Sequence, residues 1–144
     1  MSEQDRPGAA PGNERRVLQP AGWPRPKGYA NGISARGRIV SVAGPIGWNA
    51  QEQFEARDFA GQVRQALANI VAVLAEGDAG PEHIVRMTWY VVDKREYLAS
   101  LADIGKAYRE IIGPHYPVMT AVQVAGLIED LARVEIEVTA VVPD

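Results

Sequence analysis

The chain has 144 residues, of which 47% are hydrophobic and 23% are charged, a composition typical of one globular domain with an ordinary core. Its formal net charge is −3 and no block of Lys and Arg offsets it, so a nucleic-acid partner is not expected. Cysteine is absent and only two histidines occur, which excludes disulfides and thiolate nucleophiles and predicts neither a metal site nor a cofactor.

The N-terminal residues lack hydrophobic periodicity. Residues 1–20 are predicted to be a disordered or extended tail, and residues 21–144 a single domain. The tail has no apolar segment of the kind found in signal peptides, and no apolar run approaches the roughly 20 residues that cross a bilayer. A cytoplasmic protein without membrane association is therefore expected.

The first strands are predicted on either side of Arg36-Gly37. The stretch from Gly32 to Gly44 predicts a hairpin, because β-favouring residues flank a glycine that tolerates a positive φ. Gly44-Pro45 should end the second strand, since proline has no N–H to donate to the ladder.

Two helices and one strand follow in the middle of the chain. Asp58 is a candidate N-cap for a helix to about Glu76, along which apolar residues recur at three- and four-residue spacing. The β-branched and aromatic residues from Ile84 to Val92 predict a strand. A second helix is predicted from about Lys94 to Ile112, ahead of a helix-stopping Gly-Pro pair.

The chain is predicted to end in two strands, Thr120 to Leu127 and Ala132 to Val142. In the second, apolar and polar residues alternate, which gives the strand one apolar and one polar face. The order β-β-α-β-α-β-β predicts an α+β fold in which two helices cover one face of a mixed sheet. The other face needs burial, which oligomerisation often provides.

Several short motifs identify a family by their order and spacing. They are Tyr29 after Pro26-x-Gly, the strand end Val42-Ala43-Gly44, Tyr116-Pro117-Val118-Met119-Thr120, and Val134-Glu135-Ile136-Glu137. From about Pro26 to its C-terminus the chain resembles the RidA/YjgF reactive-intermediate deaminase family. The resemblance implies a chorismate-mutase-like fold and a homotrimer with a small-molecule ligand in each of three inter-subunit clefts.

Active members of that family hydrolyse enamines or imines, releasing a 2-oxo acid and ammonia. The reaction requires a donor for the substrate carboxylate, an acceptor that orients water, and groups that stabilise the tetrahedral intermediate. By similarity, Glu135 is the catalytic carboxylate that positions the water. The candidate substrate-binding residues are Tyr29, Gly44, Trp89, Met119, Thr120 and Ala121.

Two positions depart from the family pattern. The arginine that grips the substrate carboxylate is replaced by Met119, whose thioether has neither a charge nor a donor. The asparagine three residues before Tyr108 is replaced by Gly105. Little activity on 2-aminoacrylate or related carboxylate imines is therefore expected.

Structural interpretations of the same residues remain open. Glu135 is also explained as a solvent-facing strand residue, Met119 as a core filler and Trp89 as a packing residue. Two functions follow, a hydrolase of enamines or imines with altered substrate specificity and a non-catalytic trimer that binds a small molecule. Ribonuclease activity is disfavoured, because the chain is acidic and shows no basic, aromatic-rich groove.

Overall fold

The structure, a computed structural model, describes residues 15–144 and contains six strands, three α-helices and a short 3₁₀ turn at Pro81–His83. The strands are β1 (Arg16–Leu18), β2 (Gly32–Ser34), β3 (Arg38–Val42), β4 (Ile84–Val91), β5 (Val118–Gln123) and β6 (Val134–Val142). The helices are α1 (Phe59–Glu76), α2 (Lys94–Ala99) and α3 (Leu101–Ile111).

Four of the strands form the main sheet, in the order β3-β6-β4-β5. β6 runs antiparallel to both of its neighbours, whereas β5 runs parallel to β4. Helices α1 and α3 pack on each other, and α1 also contacts β6 and β3, so the helices cover one face of this sheet. The predicted α+β architecture is confirmed.

The predicted hairpin between residues 32 and 44 is wrong. β2 pairs with β1, where Ile33 lies opposite Val17, and the two form a separate small sheet. β3 instead pairs with the far end of β6, where Val40 lies opposite Ala140. A local turn signal shows that the chain reverses but not which strand becomes the partner, and that choice depends on long-range packing.

Some boundaries also differ from the predictions. The tail predicted to be disordered or extended over residues 1–20 includes β1, and its residues 1–14 fall outside the described residues. The second helix is interrupted at Ser100, whose φ of −106° and ψ of 10° separate α2 from α3. β5 begins at Val118 and ends at Gln123, four residues before the predicted end, because β4 offers no partner beyond Val91.

Helix α1 supplies the centre of the core, as predicted. The Asp58 carboxylate accepts a hydrogen bond from the Gly61 N–H at 2.9 Å and caps the helix. The helix buries one stripe of apolar side chains. Burial of each of the larger ones contributes roughly 1.5–3 kcal/mol to the free energy of folding. These are Phe59, Val63, Ala66, Leu67, Ile70 and Leu74.

A buried glutamine ties α1 to the start of β6. The Gln62 amide donates to the Ala56 and Leu131 carbonyls at 3.2 and 2.9 Å, and its oxygen accepts from the Arg133 N–H at 2.7 Å. Since every polar atom of this buried side chain is paired, it holds the residues before Val134 in one place. The Gln62 side chain therefore attaches the start of β6 to the helix layer.

The strand register decides which side chains share a face of the sheet. Met119 lies opposite the fully buried Met87, on the face that the helices cover. Glu135 lies opposite Tyr90 on the uncovered face, because its neighbours Val134 and Ile136 are buried in the core. No helix in the described part of the chain is both long and apolar enough to span a membrane.

Candidate functional site

Five of the seven predicted site residues fall into two groups on opposite faces of the main sheet. Glu135 and Gly44 meet on the uncovered face, which we call the carboxylate site. Trp89, Met119 and Ala121 line a pocket on the helix-covered side, which we call the aromatic pocket. Within one chain the catalytic candidate and the replaced arginine position therefore do not meet.

The carboxylate site is built by close approach of a loop to β6. The Ile136 N–H donates to the Pro45 carbonyl at 3.0 Å, and Ile46 forms a bridge with Glu135. The Glu135 side chain then crosses directly over Gly44, where a Cβ would lie 2.6 Å from Oε2. A side chain at position 44 would displace the Glu135 carboxylate from this place.

An asparagine on α1 holds the same loop from the other side. The Asn69 amide donates to the Ile46 carbonyl at 3.0 Å and to the Trp48 carbonyl at 2.8 Å. The loop is thus fastened both to β6 and to the longest helix. Gly44 and Glu135 are consequently held together by backbone contacts as well as by their own packing.

The electrostatic surroundings of Glu135 favour its neutral form. Partial burial raises the pKa of its carboxyl above the ordinary value, and the negative charge of nearby Glu137 raises it further. Glu137 accepts a hydrogen bond from the Tyr90 hydroxyl at 2.6 Å, which raises the pKa of Tyr90. A carboxylate with a raised pKa is a better proton acceptor near neutral pH than an ordinary glutamate.

The aromatic pocket lies between β4, β5 and the helices α2 and α3, and has a volume of about 320 Å³. Its walls are mainly aromatic and aliphatic: Trp89, Tyr97, Leu101, Ile104, Tyr108, Tyr116, Met119 and Ala121. The Tyr108 and Tyr116 rings stack at 5.6 Å, and the Tyr108 hydroxyl donates to the His115 carbonyl. Burial raises the pKa of Tyr108, so this wall remains a neutral phenol.

Two cations and an unpaired donor add polar character to this pocket. Lys27 and Arg109 both line it, and no acidic residue does. Arg109 lies one helical turn after Gly105, so close that a Cβ on Gly105 would be 3.2 Å from the guanidinium Nη1. The Trp89 indole Nε1 is buried and has no hydrogen-bond acceptor among residues 15–144.

The two remaining candidate residues join neither group closely. Thr120 lies on the uncovered face opposite Thr88, with one strand between it and β6. Tyr29 is 43% exposed and precedes Ala30, whose N–H donates to the Pro117 carbonyl, but it does not line the aromatic pocket. The structure describes no cluster of three or more metal-ligating side chains over residues 15–144.

Sequence reasoning missed Lys27 and Arg109. Arg109 is four residues after Gly105, and this spacing on a predicted helix indicates that the two residues are neighbours on its surface. Lys27 carried no such signal, because it lies in an irregular segment whose path depends on the pairing of Ala30 with Val118.

Comparison with known proteins identifies relatives over most of the chain. Residues 24–142 match the family model described as endoribonuclease L-PSP. A RutC family protein of Synechocystis is 31% identical over 130 residues, which cover 89% of this chain and 97% of the relative. The 2-iminobutanoate/2-iminopropanoate deaminase of Escherichia coli K12 is 28% identical over 116 residues, which cover 78% and 86% of the two chains.

Solved structures give the same result for the fold. A crystal structure of a Rid family protein of unknown function from Yersinia pestis superimposes with a TM-score of 0.78 at 30% identity. The match covers 90% of this chain and 99% of that one. The chorismate-mutase-like α+β fold implied by the sequence motifs is confirmed.

Proposed function

The chain belongs to the endoribonuclease L-PSP family, the RidA/YjgF family, and on this premise we propose that it hydrolyses enamines or imines whose carbon body is apolar or aromatic. The observation that carries the proposal is the Glu135 carboxylate. It is partly buried, has a raised pKa, and lies directly over Gly44, where a Cβ would come within 2.6 Å of its Oε2.

The reaction needs one proton acceptor and one water molecule. An enamine first tautomerises to its imine. The Glu135 carboxylate accepts a proton as the water oxygen bonds to the imine carbon, and the C=N π electrons move to nitrogen. Return of this proton to nitrogen gives a carbinolamine. The Glu135 carboxylate then accepts the hydroxyl proton and passes it to nitrogen as the C=O bond forms and the C–N bond breaks, so an imine and water become a carbonyl compound and ammonia.

We further propose that the active assembly is a homotrimer. The carboxylate site and the aromatic pocket lie on opposite faces of one sheet, so a single substrate can contact both only between subunits. The uncovered face also carries apolar side chains that favour burial, including Ile39, which is 68% exposed, and Val122. An inter-subunit cleft would place the Glu135 of one subunit beside the aromatic pocket of the next.

Ammonia release from imines tests the proposal. Imines are generated in situ from phenylalanine, leucine or alanine by an amino-acid oxidase, and their hydrolysis is compared with and without the protein. Both larger imines carry a carboxylate, for which the replacement of the arginine by Met119 predicts little activity. We nevertheless expect acceleration for them, because the aromatic pocket offers apolar walls for their side chains. Glu135→Gln should lose about a hundredfold or more, because the amide keeps the shape but accepts no proton. Light scattering should return a trimer for both proteins.

A non-catalytic binding trimer is the alternative, favoured by the apolar Met119 in the usual arginine position. The same experiment separates the two functions. A correctly assembled wild-type trimer that accelerates no imine hydrolysis, yet binds apolar ligands, supports the binding function and contradicts the hydrolase.

A further inference from the structure

We propose that Arg109 binds the carboxylate of the ligand in the aromatic pocket, and that this ligand is a carboxylate with an aromatic or branched apolar body. The inference extends the proposed function by naming its substrate class. Arg109 acts as a specificity-determining residue, in place of the cation that Met119 does not supply.

The geometry around Gly105 brings the guanidinium to the pocket. Gly105 and Arg109 lie on the same face of α3, one turn apart. Because Gly105 has no side chain, the Nη1 atom of Arg109 occupies the space beside it, 3.2 Å from where a Cβ would be. A larger residue at position 105 would compete for that space, so the position of the Arg109 guanidinium depends on the glycine.

The charge of Arg109 is available to a ligand. Arg64 forms an ion pair with Glu110 at 2.8 Å, and Arg133 forms one with Glu96 at 2.8 Å. Over residues 15–144 no carboxylate forms such a pair with Arg109. A guanidinium offers parallel N–H donors that match the two oxygens of a carboxylate.

The remaining lining residues favour an anion of a particular shape. Lys27 adds a second cation and none of the lining residues is acidic, although the whole chain has a formal net charge of −3. The volume of about 320 Å³ lies at the small end of ligand sites, which suits one ring and a short acid chain. Stacked Tyr108 and Tyr116 form an aromatic wall for such a ring.

The buried indole of Trp89 is an independent indication of a ligand. Trp89 is only 4% exposed and lines the pocket, and its Nε1 has no acceptor among the described residues. An unpaired buried donor is unfavourable, and most buried donors in folded proteins are paired. A carbonyl or carboxylate oxygen at the pocket floor is the kind of group that pairs it.

Calorimetric titration of the full-length protein with 3-phenylpropanoate tests the inference without requiring turnover. We expect Arg109→Gln to bind this carboxylate about tenfold or more weakly than the wild type, since a charge-assisted hydrogen bond is lost. Lys106→Gln is the matched control, because Lys106 is an exposed cation of the same helix that does not line the pocket. Its affinity should remain within about twofold of the wild type.

The neutral amide 3-phenylpropanamide separates charge recognition from packing. Its affinity should be equal in the wild type and Arg109→Gln, and lower than that of the carboxylate in the wild type. Equal carboxylate affinity in the wild type and Arg109→Gln overturns the inference, as does a wild type that binds no 3-phenylpropanoate at millimolar concentration. If Arg109→Gln loses affinity while the wild type hydrolyses no imine, the inference holds and the hydrolase proposal fails.

Discussion

The carboxylate site and the aromatic pocket are built by different parts of the same sheet. The carboxylate site arises from strand register and one loop, because β6 presents Glu135 to the uncovered face and Gly44 passes directly beneath it. The aromatic pocket lies between the edge strand β5, its neighbour β4 and the helices α2 and α3, and its walls come from side chains on all four of these elements. One region is acidic and open, the other apolar with cations lining it.

The proposed reacting group and the proposed binding groups lie in different regions of the molecule. A proton acceptor benefits from partial burial and a neighbouring negative charge, both of which raise the pKa of Glu135. Binding of a carboxylate ligand requires the opposite sign of charge, which Lys27 and Arg109 supply. Placing these groups on opposite faces keeps Arg109 from neutralising Glu135 within one chain.

The largest effect is expected from disturbing the carboxylate site. In Gly44→Ala the new Cβ would meet the end of the Glu135 side chain at 2.6 Å, and this flexible side chain must move away. We expect imine hydrolysis to fall by about a hundredfold, since misplacing a reacting group by about 1 Å has an effect of that size. Thermal unfolding should change little, and 3-phenylpropanoate should still bind.

Gly126→Ala is the control for this change, because a Cβ at Gly126 meets nothing within 4 Å. It adds the same methyl group in an open position, and its activity should match that of the wild type. Normal activity in Gly44→Ala would show that the position of Glu135 over Gly44 does not matter for the reaction.

A tenfold effect is expected from moving the cation within the aromatic pocket. Adding Met119→Arg to the Arg109→Gln background should restore at least about tenfold in 3-phenylpropanoate affinity, because position 119 lines the same pocket. Met119→Leu in that background keeps an apolar side chain and should restore nothing. Calorimetric titration measures both. An arginine at position 119 that restores no affinity would mean that the two positions do not reach one ligand.

The smallest effect concerns stability and pH. Between the ordinary pKa of a glutamate and the raised pKa of Glu135, the folded chain binds more protons than the unfolded chain, so the free energy of unfolding falls as the pH rises. Glu135→Gln should remove this contribution and raise stability near neutral pH, by less than about 1 kcal/mol because solvent screens the group. Urea unfolding at several pH values and one protein concentration measures the difference.

Glu137→Gln tests whether the neighbouring charge contributes to that slope. The substitution removes the negative charge that is the second cause of the raised Glu135 pKa. Its amide oxygen can still accept the hydrogen bond from the Tyr90 hydroxyl. The pH dependence assigned to Glu135 should become shallower and not vanish, since burial is the larger cause. An unchanged slope in both variants would contradict the assignment.

The sequence alone determined those features that depend on local chemistry. The Asp58 cap and the apolar spacing of α1 predicted that helix, and the alternation of β6 predicted which of its residues face away from the core. The motifs around Gly44, Met119 and Glu135 were enough to predict the family, and so the fold. The helix and strand predictions hold because each rests on spacing within a single element, whereas the family prediction rests on the order of several motifs along the chain.

Tertiary structure alone decided which elements meet. The pairing of β3 with β6 and the approach of Gly44 to Glu135 both depend on residues far apart in the chain. Met119 and Glu135 lie on opposite faces because of the register in which β5 pairs with β4. A slip of β5 by one residue would move each of its side chains to the other face of the sheet. Arg109 lines the pocket because α3, which packs on α1, borders it together with β4 and β5, and side-chain spacing on one helix does not specify the surface against which that helix packs.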